Sequence, residues 1–352
     1  MLTVHRWDCS ARACSRVVHD DLPATAADLP ADDVVWVDLA DPTPGEEQFV
    51  LERFLPVHPL TAADVTKPRR EPKQGAHFSK VEEFLNYLFV VVNPLPPALL
   101  GSKAGAAAAD RAPAANPAVA LRRRNRPQLS AVLTKNVLVT HHYQPLECVD
   151  HVAAHLARHG QSASRGPDYL FHLVLDAMVD EYAPVVDRVT ARLDRLETCV
   201  FRDPSPQALR RMLRLKRLAS GLRKTLLLER EVLSRLVRGE FELVDQREIA
   251  YYRNVYDHLV RYTEMIESAR EMASDLTQTH LSAASHRLNQ VMKLLTMIST
   301  VILPMSLVSG IYGMNFEHMP ELKWANGYYL ALGVMAAIGV GAIAFFRWKR
   351  WM

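Results

Sequence analysis

The chain has 352 residues, 49% of them hydrophobic, and 42 Lys and Arg against 39 Asp and Glu leave a formal charge of +3. That length is enough for about two domains and a large core. A mean hydropathy of −0.06 excludes a chain built mostly of lipid-facing helix, and the charge balance excludes a disordered or nucleic-acid-coating basic chain. A few membrane spans remain compatible with such averages.

The N-terminal stretch MLTVHRWDCSARAC has no apolar run, so no cleavable signal peptide is expected. Cys9, Cys14, Cys148 and Cys199 are too scattered for a disulfide scaffold or a paired zinc motif and read as reduced cytosolic thiols. Residues 1–160 read as a cytosolic α/β domain. Val34 to Leu39 is a strand, and Thr43 caps a helix that starts at Pro44 and runs through Phe54. Tyr87 to Val92 is a buried strand. Leu129 to Thr134 and Val137 to Thr140 form a hairpin across Lys135-Asn136. Residues 94–117, rich in Ala, Pro and Gly, read as a mobile loop. His151, His155 and His159 fall at i, i+4 and i+8, a helical spacing able to hold Zn²⁺, Co²⁺ or Ni²⁺.

Residues 161–290 read as a helical stalk. One amphipathic helix is expected from Asp168 to Val200 and another from Ser205 to Leu236. The second carries seven basic and no acidic residues between 205 and 224, a pattern read as a solvated or intersubunit face rather than a nucleic-acid surface. Neither Gly nor Pro occurs between Gly239 and Pro304, so a third helix of about 96 Å should continue from the cytosol into the membrane.

Leu294 to Phe316 and Trp324 to Phe346 are each 23 residues without Asp, Glu, Lys or Arg, long enough to cross a bilayer. Arg287 and Lys293 precede the first, and Arg347, Lys349 and Arg350 follow the second. The intervening loop holds Glu317, Glu321 and a single Lys323. Both termini are therefore expected in the cytoplasm, with Trp324, Tyr328, Tyr329, Trp348 and Trp351 at the interfaces. The layout is a first span at 291–314, an external loop at 315–327, a second span at 328–346 and a basic tail at 347–352.

A single hairpin cannot enclose water, so conduction would need several copies. The first span is suited to line a path. Asn289, Met292, Thr296, Ser299, Leu303, Ser306, Gly310 and Gly313 share one face, with Leu295 at its edge. Small residues alone equally serve close helix packing. Gly-rich phosphate loops, nucleophile elbows and HExxH are all lacking from the sequence, which gives no reason to expect an enzyme.

The first span ends in Tyr312-Gly313-Met314-Asn315, followed by FEHMPELKWANGYY. With YYRNVYDHLVRY at 251–262, LNQVMKLLTMISTVILPMSLVSGIYGMN at 288–315, HPLTAADV at 58–65, KVEEFLNYLFVVV at 80–92, VLTKNVLVTHH and DYLFHLVLDAMVDEY, the chain closely resembles the CorA family of magnesium transporters. The resemblance implies an α+β membrane protein. Its parts would be a cytosolic α/β domain, a long helical stalk and two C-terminal spans, assembled as a homopentameric funnel in the plasma (inner) membrane of a bacterium. It also implies passive influx of Mg²⁺, with Co²⁺ and Ni²⁺, and Mg²⁺ as a regulatory ion; no organic cofactor and no nucleic acid is expected. Carried over, Gly313, Met314 and Asn315 form the entrance, and Gly310 offers carbonyls. Ser306 and Ser299 supply hydroxyls, Asn289 supplies an amide ring, and Met292, Leu295 and Leu303 form hydrophobic constrictions. Glu317 and Glu321 would concentrate cations outside or simply solvate the loop. His280 and His286, just before the pore helix, would add a repulsive ring if both face the axis.

In the family, carboxylates between subunits bind the regulatory ion. Asp176 matches one such position, but Asn254, Asn86 and Gln278 stand where acidic residues are common. An amide is a weaker ligand for a hard cation, so Mg²⁺-dependent closure should be weakened. The alternatives are a zinc transporter of the same superfamily and a non-conducting sensor or scaffold that uses the long helix as a lever.

Overall fold

The computed structural model describes residues 1–10, 13–17, 23–30, 32–100, 126–202, 205–315, 319 and 324–351. Glu317, Glu321 and most of the expected loop at 94–117 lie outside the described residues, as does the side chain of Cys199. Cys9, Cys14 and Cys148 are free thiols.

Among the described residues the strands are β1 (Leu2–Asp8), β2 (Ala13–Val17), β3 (Val34–Ala40), β4 (Lys80–Glu83), β5 (Leu88–Val92), β6 (Leu129–Leu133) and β7 (Val137–His142). They form one sheet in the order β2-β1-β3-β7-β6-β5-β4. Only β3 and β7 run parallel, with Val35 opposite Val137; the other neighbours are antiparallel. The central strands are near-continuous apolar runs because both faces of the sheet are covered. Val35, Val37, Leu39, Phe89 and Val91 join one core, while Trp36, Leu88, Val90, Leu129 and Leu138 join the other.

The smaller core is closed by residues 49–54, which continue α1 (Pro44–Gln48), and by α2 (Pro59–Val65), followed by the short α3 (Lys67–Arg70). Thr43 and Glu46 form a reciprocal capping box at the start of α1. The helix expected through Phe54 changes to π winding over Phe49–Phe54, where Val50, Leu51 and Phe54 are buried. A further short helix, α4, covers Pro97–Leu100, so the N-terminal end of the expected loop is ordered.

The larger core is closed by α5 (Glu147–Arg158), α6 (Pro167–Asp180), α7 (Tyr182–Arg202), α8 (Pro206–Val237) and the first part of α9 (Ile249–Tyr312). The helix expected over 168–200 is interrupted at Glu181, because Pro184 has no N–H to give to the preceding turn. Gly239 adopts φ +68°, ends the turn after α8 and delays the long helix to Ile249, with Phe241 and Val244 buried between. α9 is 64 residues long, about 96 Å, and passes through Pro304. The last helix is α10 (Gly327–Trp348).

Two compact units result, Met1–Thr277 and Gln278–Met352. Within the second, the Lys293 ammonium sits 5.6 Å from the Trp351 ring centroid, and Phe346 stacks on Trp351. Lys293 and the basic tail after α10 are thereby on one side, as the charge distribution requires.

Candidate ion pathway

The apolar stretch of α9 has none of its length buried inside the chain, and that of α10 has almost none. A soluble core helix is mostly buried, so these faces need lipid or other copies of the chain. On α9, Asn289, Met292, Leu295, Thr296, Leu303, Ser306, Gly310 and Gly313 are all exposed and Ser299 is half-exposed. Thr296 Oγ1 donates to the Met292 carbonyl at 2.8 Å, so this hydroxyl is satisfied by its own helix. Among the described residues, Asn289, Ser299 and Ser306 show no side-chain hydrogen bond, and their polar groups are available to a ligand or to water.

The helix tightens where it ends. Gly313 N donates to Ser309 O at 3.0 Å and to Gly310 O at 3.2 Å, and Met314 N donates to Ile311 O at 3.3 Å. A Cβ on Gly313 would come within 3.3 Å of the Ser309 carbonyl, which accounts for glycine there. The Gly310 carbonyl keeps a second lone pair for a cation or its water. Met314 and Asn315 follow, both exposed. His280 is buried, whereas His286 is exposed with its Nε2 3.2 Å from Gln290 Nε2.

The expected regulatory residues are spread over three elements. Asp176 lies half-buried on α6. Burial raises its carboxyl pKa, as does the charge of Asp180, while His258 on α9 opposes the shift. His258 Nδ1 is 3.9 Å from Asp180 Oδ1. Asn254 is exposed on α9, one turn before His258, and Asn86 is exposed beside Leu85 in the β4–β5 turn. Among the described residues no group of three or more His, Cys, Asp or Glu is placed to hold a metal ion.

That finding corrects the histidine row. α5 ends at Arg158, and His159 leaves helical geometry at φ −130°, ψ 60°. Its ring stacks on His155 at 4.9 Å, and His155 Nε2 lies 3.3 Å from Ser162 Oγ. Two histidines rather than three remain on the helix face.

One buried acid escaped the reading of the sequence. Glu229 on α8 accepts from Ser79 Oγ at 2.7 Å and from Asn93 N at 2.6 Å, joining the helix to the sheet. Burial pushes its carboxyl up to about 7, against those two hydrogen bonds and the charge of Arg126. In sequence it is one more charge in a helix, and only its fully buried place distinguishes it.

The model of the CorA-like Mg²⁺ transporter protein family matches residues 111–350. The cobalt/magnesium transport protein CorA of Thermotoga maritima is 33% identical over 300 residues, covering 85% of this chain and 78% of that one. The complete structure of the CorA magnesium transporter from Methanocaldococcus jannaschii superposes with a TM-score of 0.73 at 18% identity, covering 100% of this chain and 99% of that one. The cytoplasmic domain of ZntB from Vibrio parahaemolyticus gives a TM-score of 0.60 at 10% identity, covering 81% and 99%. At such identities the two structures show a shared fold.

Proposed function

The chain belongs to the CorA-like Mg²⁺ transporter protein family, and from that premise we propose that it conducts hydrated Mg²⁺, with Co²⁺ and Ni²⁺, into the cytoplasm by passive flow through a homopentameric pore. Membership makes it a divalent cation transporter of the membrane rather than an enzyme, with two C-terminal spans and a large cytoplasmic N-terminal part. The observation that carries the finer reading is the outward-facing stripe on the last part of α9, polar and apolar by turns, on a stretch of helix that the rest of the chain leaves uncovered.

The chemistry suits a reluctantly dehydrating ion. Mg²⁺ holds its waters in near-ideal octahedral geometry, so a path can pass it with most of them attached. Asn315 at the entrance and Asn289 at the cytoplasmic end offer amide oxygens that accept hydrogen bonds from those waters. No Asp or Glu lies between Asp275 and Glu317, so the path holds no deep electrostatic trap. Met292, Leu295 and Leu303 would then close it by dewetting.

Regulation follows from the same premise. With Asn254 and Asn86 neutral, Asp176 is the carboxylate left among these three positions, and among the described residues one chain alone gathers no three-ligand site. A regulatory Mg²⁺ would take ligands from adjacent copies and bind weakly. Asn254→Asp should lower the Mg²⁺ concentration that closes the pore; a channel equally sensitive before and after the change argues against this account. The function itself is tested by flux of Mg²⁺, Co²⁺, Ni²⁺ and Zn²⁺ into proteoliposomes. Wild type should pass Mg²⁺ and Asn315→Ala should lose most of that flux. No flux would identify a scaffold, and preference for Zn²⁺ would identify a zinc transporter.

A further inference from the structure

α8 and α9 each carry a charged stripe on the face turned away from their own core. On α8, Met212, Leu215, Ala219, Leu222 and Leu226 are buried, and at about 100° per residue the opposite face holds Arg210, Arg214, Arg217 and Lys224, all exposed. On α9, Val255, Leu259, Tyr262, Ile266 and Ala273 are buried, and the opposite face holds Asp257, Glu264, Glu271 and Asp275, all exposed. Arg261 also lies on this face of α9. Among the described residues none of these eight side chains forms an ion pair, and the Lys224 ammonium lies 5.1 Å from the Phe78 ring centroid. The exposed acids of α7, Asp187, Asp194 and Glu197, form no ion pair with the α8 stripe either.

Two contacts fix the register of the helices within the chain. Lys216 Nζ donates to Ser274 Oγ at 3.0 Å, and Arg223 pairs with Glu267. Seven residues up α8 thus correspond to seven residues down α9. Positions 214, 217 and 224 therefore lie level with about 276, 273 and 266, each within two residues of an exposed acid at 275, 271 or 264. In the ring proposed above, with its axis taken parallel to α9, rotation would leave every residue at its height. The basic stripe of one copy would then meet the acidic stripe of the next in the same register, with Arg261 beyond the matched stretch.

We infer that α8 of one copy and α9 of its neighbour form a charge-matched seam, with Arg214 facing Asp275, Arg217 facing Glu271 and Lys224 facing Glu264. The occupant of each stripe is a second copy of this chain, because the complementary charge lies at matching height on that copy. Exposed pairs contribute little singly, so the seam sets which face meets which and at what register rather than supplying most of the affinity. The inference rests on the ring proposed above.

Native mass spectrometry of the full chain in mild detergent tests it. Wild type should be pentameric. Arg214→Glu, Arg217→Glu and Lys224→Glu together should remove the pentamer, and adding Glu264→Lys, Glu271→Lys and Asp275→Lys should restore it. As a second measurement, Arg217→Cys and Glu271→Cys copies, expressed together with the native cysteines replaced by serine, should form an inter-chain disulfide on oxidation in membranes. Neither copy alone should do so. This decides the matter if the reversed variant fails to fold. A pentamer that survives charge reversal, with no cross-link, overturns the seam and leaves the pore standing, as would a reversed variant that loses only bound lipid or nucleic acid. A wild type that is not pentameric overturns both.

Discussion

The two ends of α9 use the same helical periodicity against different surroundings. Near its start, Tyr252, Val255, Leu259, Tyr262 and Ile266 repeat at three and four residues and are buried in the chain's own core. Past Gln278, Leu288, Leu295, Ile302, Leu303 and Leu307 are just as apolar and stay exposed. An apolar helix face therefore says only that water will be excluded, and the rest of the chain decides by what. In the first stretch the sheet and helices supply the cover. In the second the cover has to come from lipid or from other copies, and the proposed pore reserves the polar stripe for the ion.

Breaking the comparison starts with the buried end. Leu259→Ala should cost the cytoplasmic unit about 2–5 kcal/mol in denaturant unfolding, because Leu259 is fully buried and its neighbours cannot collapse completely. Leu307→Ala should leave the same transition unchanged to within about 0.5 kcal/mol, since Leu307 is exposed in the single chain. Equal effects would mean that the two ends are not in different surroundings.

Glu229 sharpens the contrast with a smaller, pH-dependent effect. Its carboxyl, raised from 4.5 to about 7, makes the folded chain bind a proton more tightly than the unfolded chain. Stability from this group is full below pH 4.5 and is lost as pH rises to about 7, a slope worth about 3 kcal/mol. Glu229→Gln should flatten that slope in unfolding measured between pH 5 and pH 8. His172 acts in the opposite sense. Burial pushes it down to about 4 from 6.5, so its contribution is lost as pH falls through that interval.

Much of this architecture was legible before any coordinates. Two uncharged 23-residue stretches with basic flanks point to the two apolar C-terminal helices, and Thr43-Pro44 marks the start of α1. β1, β2 and β4 were missed because they are flanking strands. In β1 the buried Val4 and Trp7 are three apart with His5 and Arg6 between them, so no strand alternation shows, and Lys80 to Glu83 is mostly charged. The break at Glu181 hid in an amphipathic pattern that continues across it. The histidine row failed because spacing alone assumes a helix, and α5 stops one residue before its third member. Along the pathway, periodicity alone placed Asn289, Ser299 and Ser306 on one face. The convergence around an axis that the proposed pore requires would be a property of several chains, and no single chain can display it.

The most direct test asks whether that face meets water. Ser306→Cys on the stripe and Val308→Cys on the opposite face of α9 would each be placed in a chain with its native cysteines replaced by serine. After treatment with a membrane-impermeant, hydrophilic thiol reagent, Mg²⁺ flux into proteoliposomes would be measured. The proposed pore predicts block of the Ser306→Cys protein and unchanged flux through the Val308→Cys protein. Block of both, or of Val308→Cys alone, would contradict it.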